Sequence, residues 1–199
     1  MSRKVLLDAV AAYVIVCKKC SLWKTRKNAV SGEGNARAKI VFIGEAPGRT
    51  EDMKGRPFVG AAGKFLETLL AVMGLSREDV FICNVLKCRP PGNRAPKPCE
   101  IKTCTPYLDK QVEIIKPKVI VTLGSFSTAY VFQKANLPFT SITQVHGKPC
   151  KANILNRKVT IFPTFHPAAA LYNARFKERL TKDFQYLKIV LRKSEYASH

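Results

Sequence analysis

Four short, almost unbroken apolar runs set the strongest limit on what this chain can fold into. Lys39-Ile-Val-Phe-Ile43, Val80-Phe-Ile-Cys-Asn84, Val119-Ile-Val-Thr-Leu123 and Val159-Thr-Ile-Phe162 each read as a strand buried on both faces. A half-exposed strand would instead alternate with polar residues. Between and around them, apolar residues recur at helical spacing. Ala62, Leu66, Leu69 and Met73 share one face, Ile101, Leu108, Val112 and Ile115 another, and Phe176, Leu180, Phe184, Leu187 and Leu191 a third. Leu6, Val10 and Val14, widened by Leu7 and Ala11, mark a helix near the N-terminus, and Ser125 to Phe132 a short one. This alternation predicts an α/β fold whose mostly parallel sheet is covered by helices on both faces. Ligands of such sheets bind at the carboxyl ends of the strands. The loops there begin at Gly44, Asn84, Gly124 and Thr164.

Composition narrows the class. Hydrophobic residues make up 46% of 199, enough for a core over a single domain at residues 1–199 and too many for a disordered chain. The longest apolar stretch, Val5 to Val16, is interrupted by Asp8 and is too short to span a bilayer. It also ends in Cys17-Lys-Lys-Cys20 rather than a small-residue cleavage site, so it does not read as an export signal, and the protein is expected inside the cell. Lys and Arg number 34 against 14 Asp and Glu, a formal charge of +20. Such an excess, scattered along the chain, points to a charged face for a polyanion. Nucleic acid comes first and an anionic membrane surface second, with a merely basic soluble protein as the plain alternative.

Seven cysteines in a reducing compartment suggest metal or cluster ligation more than disulfides. Cys17 and Cys20 form a C-x2-C pair after the first helix. Cys88 opens a proline-rich loop, Arg89 to Pro98, and Cys104 is in register with the buried stripe of the following helix. Cys99 lies about 140° around that helix from Cys104, so one face cannot present both inward. Cys17, Cys20, Cys88 and Cys104 are therefore chosen as a four-thiolate site. Structural zinc and a [4Fe–4S] cluster both take four thiolates, and spacing alone leaves the two open. Cys83 and Cys150 read as inert.

The segment from Gly44 to Gly63 leaves a strand and enters a helix, but it is not a P-loop. Gly63-Lys64 is followed by Phe65 rather than Ser or Thr, and Phe58 stands where the first glycine should be. The dinucleotide fingerprint fails too, because no glycine-opened helix follows the strand directly. What remains is a loop of exposed backbone with an acid, Glu45, further acids at Glu51 and Asp52, and an aromatic, Phe58. It could suit a planar heterocycle, or Phe58 could be a buried anchor. Asn84 offers a donor and an acceptor to a base edge, or forms a turn. His166 precedes Pro167 at a helix start, where it could donate to a developing anion or be structural. His146 has no such setting.

Taken together, the motifs Gly44-Glu-Ala-Pro-Gly48, Gly55-Arg-Pro-Phe-Val-Gly60, Asn84-Val-Leu-Lys-Cys-Arg-Pro-Pro91 and His166-Pro-Ala-Ala-Ala-Leu171, with the four cysteines, resemble the uracil-DNA glycosylase superfamily, family 4 type. The resemblance runs from Cys17 to about Asn173. It implies a three-layer α/β/α sandwich around a four-stranded mostly parallel sheet, with a [4Fe–4S] cluster on Cys17, Cys20, Cys88 and Cys104. It also implies hydrolysis of the N-glycosidic bond of a flipped-out uracil. Phe58 would stack on the base, Asn84 would read its Watson–Crick edge, and backbone around Glu45, Ala46 and Pro47 would close the pocket. His166 would stabilise charge on uracil O2, and Glu45 would offset charge on the sugar or orient the water. Small residues Ala168 to Ala170 would let the His166 loop approach the minor groove. The implied partner is uracil-containing DNA, met by a monomer in the cytoplasm and nucleoid, with no membrane and with a sliding clamp or other repair proteins as candidate associates. The chain departs from the pattern in carrying Glu45 where the best-known branch has an aspartate nearby, and Tyr172 where many relatives have arginine. Two rivals come from other classes. A non-catalytic nucleic-acid-binding domain would tolerate replacement of Asn84 and His166. An oxidoreductase would need a flavin or nicotinamide motif, and none is present.

Overall fold

The computed structural model describes residues 1–196 and is an α/β fold. Among the described residues there are six strands and seven α-helices. The chain runs through α1 (Arg3–Ile15), β1 (Glu33–Gly34), β2 (Ile40–Gly44), α2 (Arg49–Lys54) and α3 (Ala61–Met73). It continues with β3 (Phe81–Asn84), α4 (Pro98–Ile115), β4 (Val119–Leu123), α5 (Ser125–Lys134) and α6 (Ile142–Val145). The hairpin of β5 (Cys150–Ile154) and β6 (Arg157–Thr164) and the long α7 (Ala174–Tyr196) complete it. No described helix is long and apolar enough to cross a membrane.

The expected four-stranded sheet is corrected to a mixed sheet of six, in the order β1-β3-β2-β4-β6-β5. Its centre, β3-β2-β4-β6, is the parallel set that the apolar runs announced. Two antiparallel edges, β1 on β3 and β5 on β6, were not legible. β1 is a Glu-Gly dipeptide. β5 has one face partly exposed and carries Lys151 and Asn153, so it lacks the apolar signal of a buried strand. The hairpin turn is Leu155-Asn156, both at left-handed φ (50° and 60°). A glycine normally announces such a turn, and here there is none.

Successive residues of each central strand feed opposite layers. Val41 and Ile43, with Ile120 and Ile161, pack beneath α1, α4 and α5 through Leu7, Val10, Val14, Leu108, Val112 and Val131. Ile40 and Phe42, with Val119, Val121 and Phe162, pack beneath α3 and α7 through Leu66, Leu69, Leu70, Leu180, Phe184 and Leu187. Phe42 and Phe184 stack with ring centroids 5.8 Å apart. Each such ring, fully buried, contributes about 1.5–3 kcal/mol of hydrophobic stabilisation.

The connectivity locates the site. After β2 the chain crosses over α3 to reach β3 on one side, then crosses back over α4 to reach β4 on the other side of β2. The two crossover helices lie on opposite faces, so loops diverge at the carboxyl end of β2 and leave a crevice there.

Candidate active site

At that crevice Gly44 and Asn84 are cross-strand partners. Strand-like pairing continues one step into the loops, with Val85 N–H donating to Gly44 O and Leu86 N–H to Glu45 O, both at 3.0 Å. A Cβ at Gly44 would lie 2.3 Å from Asn84 Oδ1 and 2.6 Å from the Phe58 ring. Only glycine leaves room for both side chains to converge. Asn84 is 2% exposed, and its Oδ1 is buried with no hydrogen-bond partner. It is the sole side-chain atom in that condition among the described residues. A buried acceptor left unmade costs about 1–3 kcal/mol, which a ligand N–H would remove.

His166 approaches from the end of β6. It caps the short 3-10 segment Pro167–Leu171, its Nδ1 accepting from Ala168 N–H at 3.1 Å. With Nδ1 an acceptor, the proton of the neutral ring sits on Nε2. The ring lies against Phe58, centroids 5.6 Å apart and planes 28° from parallel. Burial pushes the His166 pKa down to about 4, only partly opposed by the negative charge of Glu51. The imidazole is therefore a neutral donor at ordinary pH. Beyond it, Leu171 and Tyr172 project into solvent, Tyr172 being 90% exposed. Glu45 is half-buried, and burial raises its carboxyl above the usual range. Ala46 packs beside Leu86 and Cys88, and Pro47 is buried.

Phe58 itself is buried at φ 50°, a left-handed conformation that a bulky side chain rarely adopts and that costs about 1–3 kcal/mol. The surrounding groups hold it there. Glu51 Oε1 accepts from Val59 N–H at 2.9 Å and Gly60 N–H at 2.8 Å. Arg77 donates to Pro57 O at 2.7 Å and Phe58 O at 2.9 Å. Gly63, in the first turn of α3, admits the loop: a Cβ there would stand 1.9 Å from Phe58 O. The neighbouring acid Asp52 turns away instead, its carboxylate accepting from Lys27 N–H at 2.9 Å.

Cys17, Cys20, Cys88 and Cys104 line one small cavity, walled also by Val14, Trp23 and Tyr107, whereas Cys99 is exposed and outside it. Arg26 donates to Cys88 Sγ at 3.0 Å and Lys87 N–H to Cys104 Sγ at 3.2 Å. Such donors match anionic sulfur. Burial pushes the Cys104 thiol up to about 11 and raises that of Cys88. Among the described residues no three His, Cys, Asp or Glu side chains form a set that could hold a single metal ion.

Arg77 was missed in the sequence because it belongs to no motif. His146 was given no role, yet its Nδ1 lies 3.1 Å from Asp183 Oδ2, which also accepts from Thr164 Oγ1 at 2.6 Å. Its ring packs on Phe165, the residue before His166, with centroids 4.2 Å apart.

A model of the Uracil DNA glycosylase superfamily matches residues 31–188. The chain is similar to proteins described as Type-4 uracil-DNA glycosylases. It is 55% identical to that of Saccharolobus solfataricus, over 93% of this chain and 86% of the other. The protein of Archaeoglobus fulgidus is 50% identical over 90% of each. That of Thermotoga maritima is 47% identical over 86% of each.

Proposed function

The chain belongs to the uracil-DNA glycosylase superfamily, and on that premise we propose that it excises uracil from DNA with a pocket formed by Phe58, Asn84 and His166. The activity is hydrolysis of the N-glycosidic bond, leaving an abasic site. One observation carries the reading of the pocket: the orphaned Asn84 Oδ1, buried beside an aromatic ring at the carboxyl ends of β3 and its neighbour β2.

Uracil presents an N3–H donor next to the O4 acceptor. Asn84 Oδ1 takes the first, and its amide N–H serves the second. Cytosine reverses both positions and leaves the buried amide unpaired, a mismatch of about 1–3 kcal/mol for each group. The base must leave the helix to reach this depth. Phe58 receives its face, and base–aromatic stacking is worth about 1–3 kcal/mol. As the C1′–N1 bond breaks, its electron pair moves into the base. His166 Nε2–H donates to O2, where negative charge gathers. A donor already aimed at a developing oxyanion accelerates by about 10²–10³. Water adds to C1′, and the proton it loses is matched by the one the departing uracil anion takes up, by way of solvent. Glu45 supplies negative charge near the sugar or orients that water, and the higher basicity conferred by burial serves the second role better.

The donor set of Cys17, Cys20, Cys88 and Cys104 fits a [4Fe–4S] cluster. When bound, the group supplies a rigid tether rather than substrate chemistry. The thiols come from the end of α1, the start of the 88–97 loop and α4, so the tether fixes that loop beside Asn84. Iron analysis tests this, with about four iron atoms per chain expected and stoichiometric zinc without iron overturning it.

The activity test uses a labelled oligonucleotide with one uracil, treated with alkali after incubation. Strand scission at uracil and none at a matched thymine is the expected result. No scission at either base overturns the reading.

A further inference from the structure

We propose that Arg77 is a positioning residue for excision, acting through Phe58: one guanidinium fixes the backbone conformation that presents the ring to the base. The inference rests on the stacking role given to Phe58 above.

Arg77 lies between α3 and β3, outside every motif that the sequence singles out. Its side chain is 12% exposed. The two carbonyls it binds, Pro57 O and Phe58 O, belong to the peptide units on either side of the Phe58 Cα. One planar fork therefore restrains both backbone torsions of Phe58, and the left-handed φ of 50° cannot relax without breaking a bond to Arg77. Relaxation would swing the ring away from Gly44 and Asn84. The fork is itself aimed from behind. Its Nε donates to Glu33 Oε1 at 3.0 Å, Glu67 approaches Nη1 at 3.3 Å, and Arg56 Nε holds the other Glu33 oxygen at 2.7 Å. A lysine, a point charge with no fork, cannot reproduce this pair of bonds.

A double-mutant cycle tests the proposal. Arg77→Met in the full-length protein is expected to slow uracil excision roughly 10- to 100-fold and to weaken binding of free uracil in calorimetry. Arg77→Lys should recover part of both. In a Phe58→Ala background, Arg77→Met should change neither rate nor uracil affinity further. A merely structural salt bridge would lower the melting temperature and slow excision by the same factor in both backgrounds, and that result overturns the proposal. So does an Arg77→Met protein with full activity. If Arg77→Met does not fold, the same cycle is run with Arg77→Lys and read in the same way. A Phe58→Ala protein with unchanged excision and uracil affinity overturns the stacking role and this inference with it. A weakened Phe58→Ala protein with an additive cycle removes Arg77 alone.

Discussion

Asn84 and His166 carry the sharpest expectations at the scale of single residues. Asn84→Asp replaces the amide by two acceptors. Uracil excision should fall about 10- to 100-fold and excision of cytosine should become measurable, read as the ratio of the two rates on matched oligonucleotides. Unchanged selectivity would remove Asn84 as the reader. His166 gives a prediction in pH. Its pKa falls from 6.5 in the unfolded chain to about 4 in the folded one, so between those values the unfolded state binds more protons. Stability from this group is complete above about 6.5 and is lost as pH falls towards 4, up to about 3 kcal/mol in all. Denaturant melts at pH 7 and pH 4.5 should show that loss in the natural protein and a smaller one in His166→Gln. Asn84, Phe58 and His166 were legible because each sits at a strand end or loop within a recognisable motif. Arg77 was not, because its partners lie 19, 20 and 44 residues away and only the fold brings them to it.

Among the elements, the approach of α3 to the Phe58 loop is the tightest joint in the site. Gly63→Ala would drive a methyl group to 1.9 Å from Phe58 O, and the loop would have to give. Because the sheet and α7 do not depend on that contact, circular dichroism should remain that of an α/β protein while excision falls roughly 100-fold. Retained activity would show that Phe58 need not hold its position. The same scale explains what the sequence could and could not say about architecture. The four parallel strands were legible because burial on both faces makes β2, β3 and β4 and the later part of β6 nearly all apolar. Helices α3, α4 and α7 were legible because one face alone meets the sheet. The edges β1 and β5 escaped, being too short or too polar, and so did α2, whose six residues Arg-Thr-Glu-Asp-Met-Lys are stopped by Gly55 at φ 69°. The cysteine cavity lay between: Cys17 and Cys20 were named from their C-x2-C spacing, Cys88 from its loop and Cys104 from helical register, but their meeting depends on α1 packing against α4, which no local signal encodes.

Across the whole molecule the charge of +20 decides how DNA is met. Lys and Arg that neutralise phosphates release counterions, so the logarithm of affinity should fall linearly with the logarithm of salt, by about 0.9 for each phosphate contacted on a duplex. Measured with an oligonucleotide in which the sugar is blocked against cleavage, a steep slope is expected for uracil and thymine strands alike. A slope near zero would mean that the basic residues serve no nucleic acid. The difference between the two strands, read at one salt concentration, isolates the pocket from the surface.

Two braces hold the Phe58 turn, Glu51 through the Val59 and Gly60 N–H groups and Arg77 through the Pro57 and Phe58 carbonyls. A turn so tied at both ends is expected to keep its shape as the protein passes from one nucleotide to the next. With the ring held, the time spent at a sound nucleotide is expected to follow how readily that nucleotide swings outward, since unstacking costs a few kcal/mol.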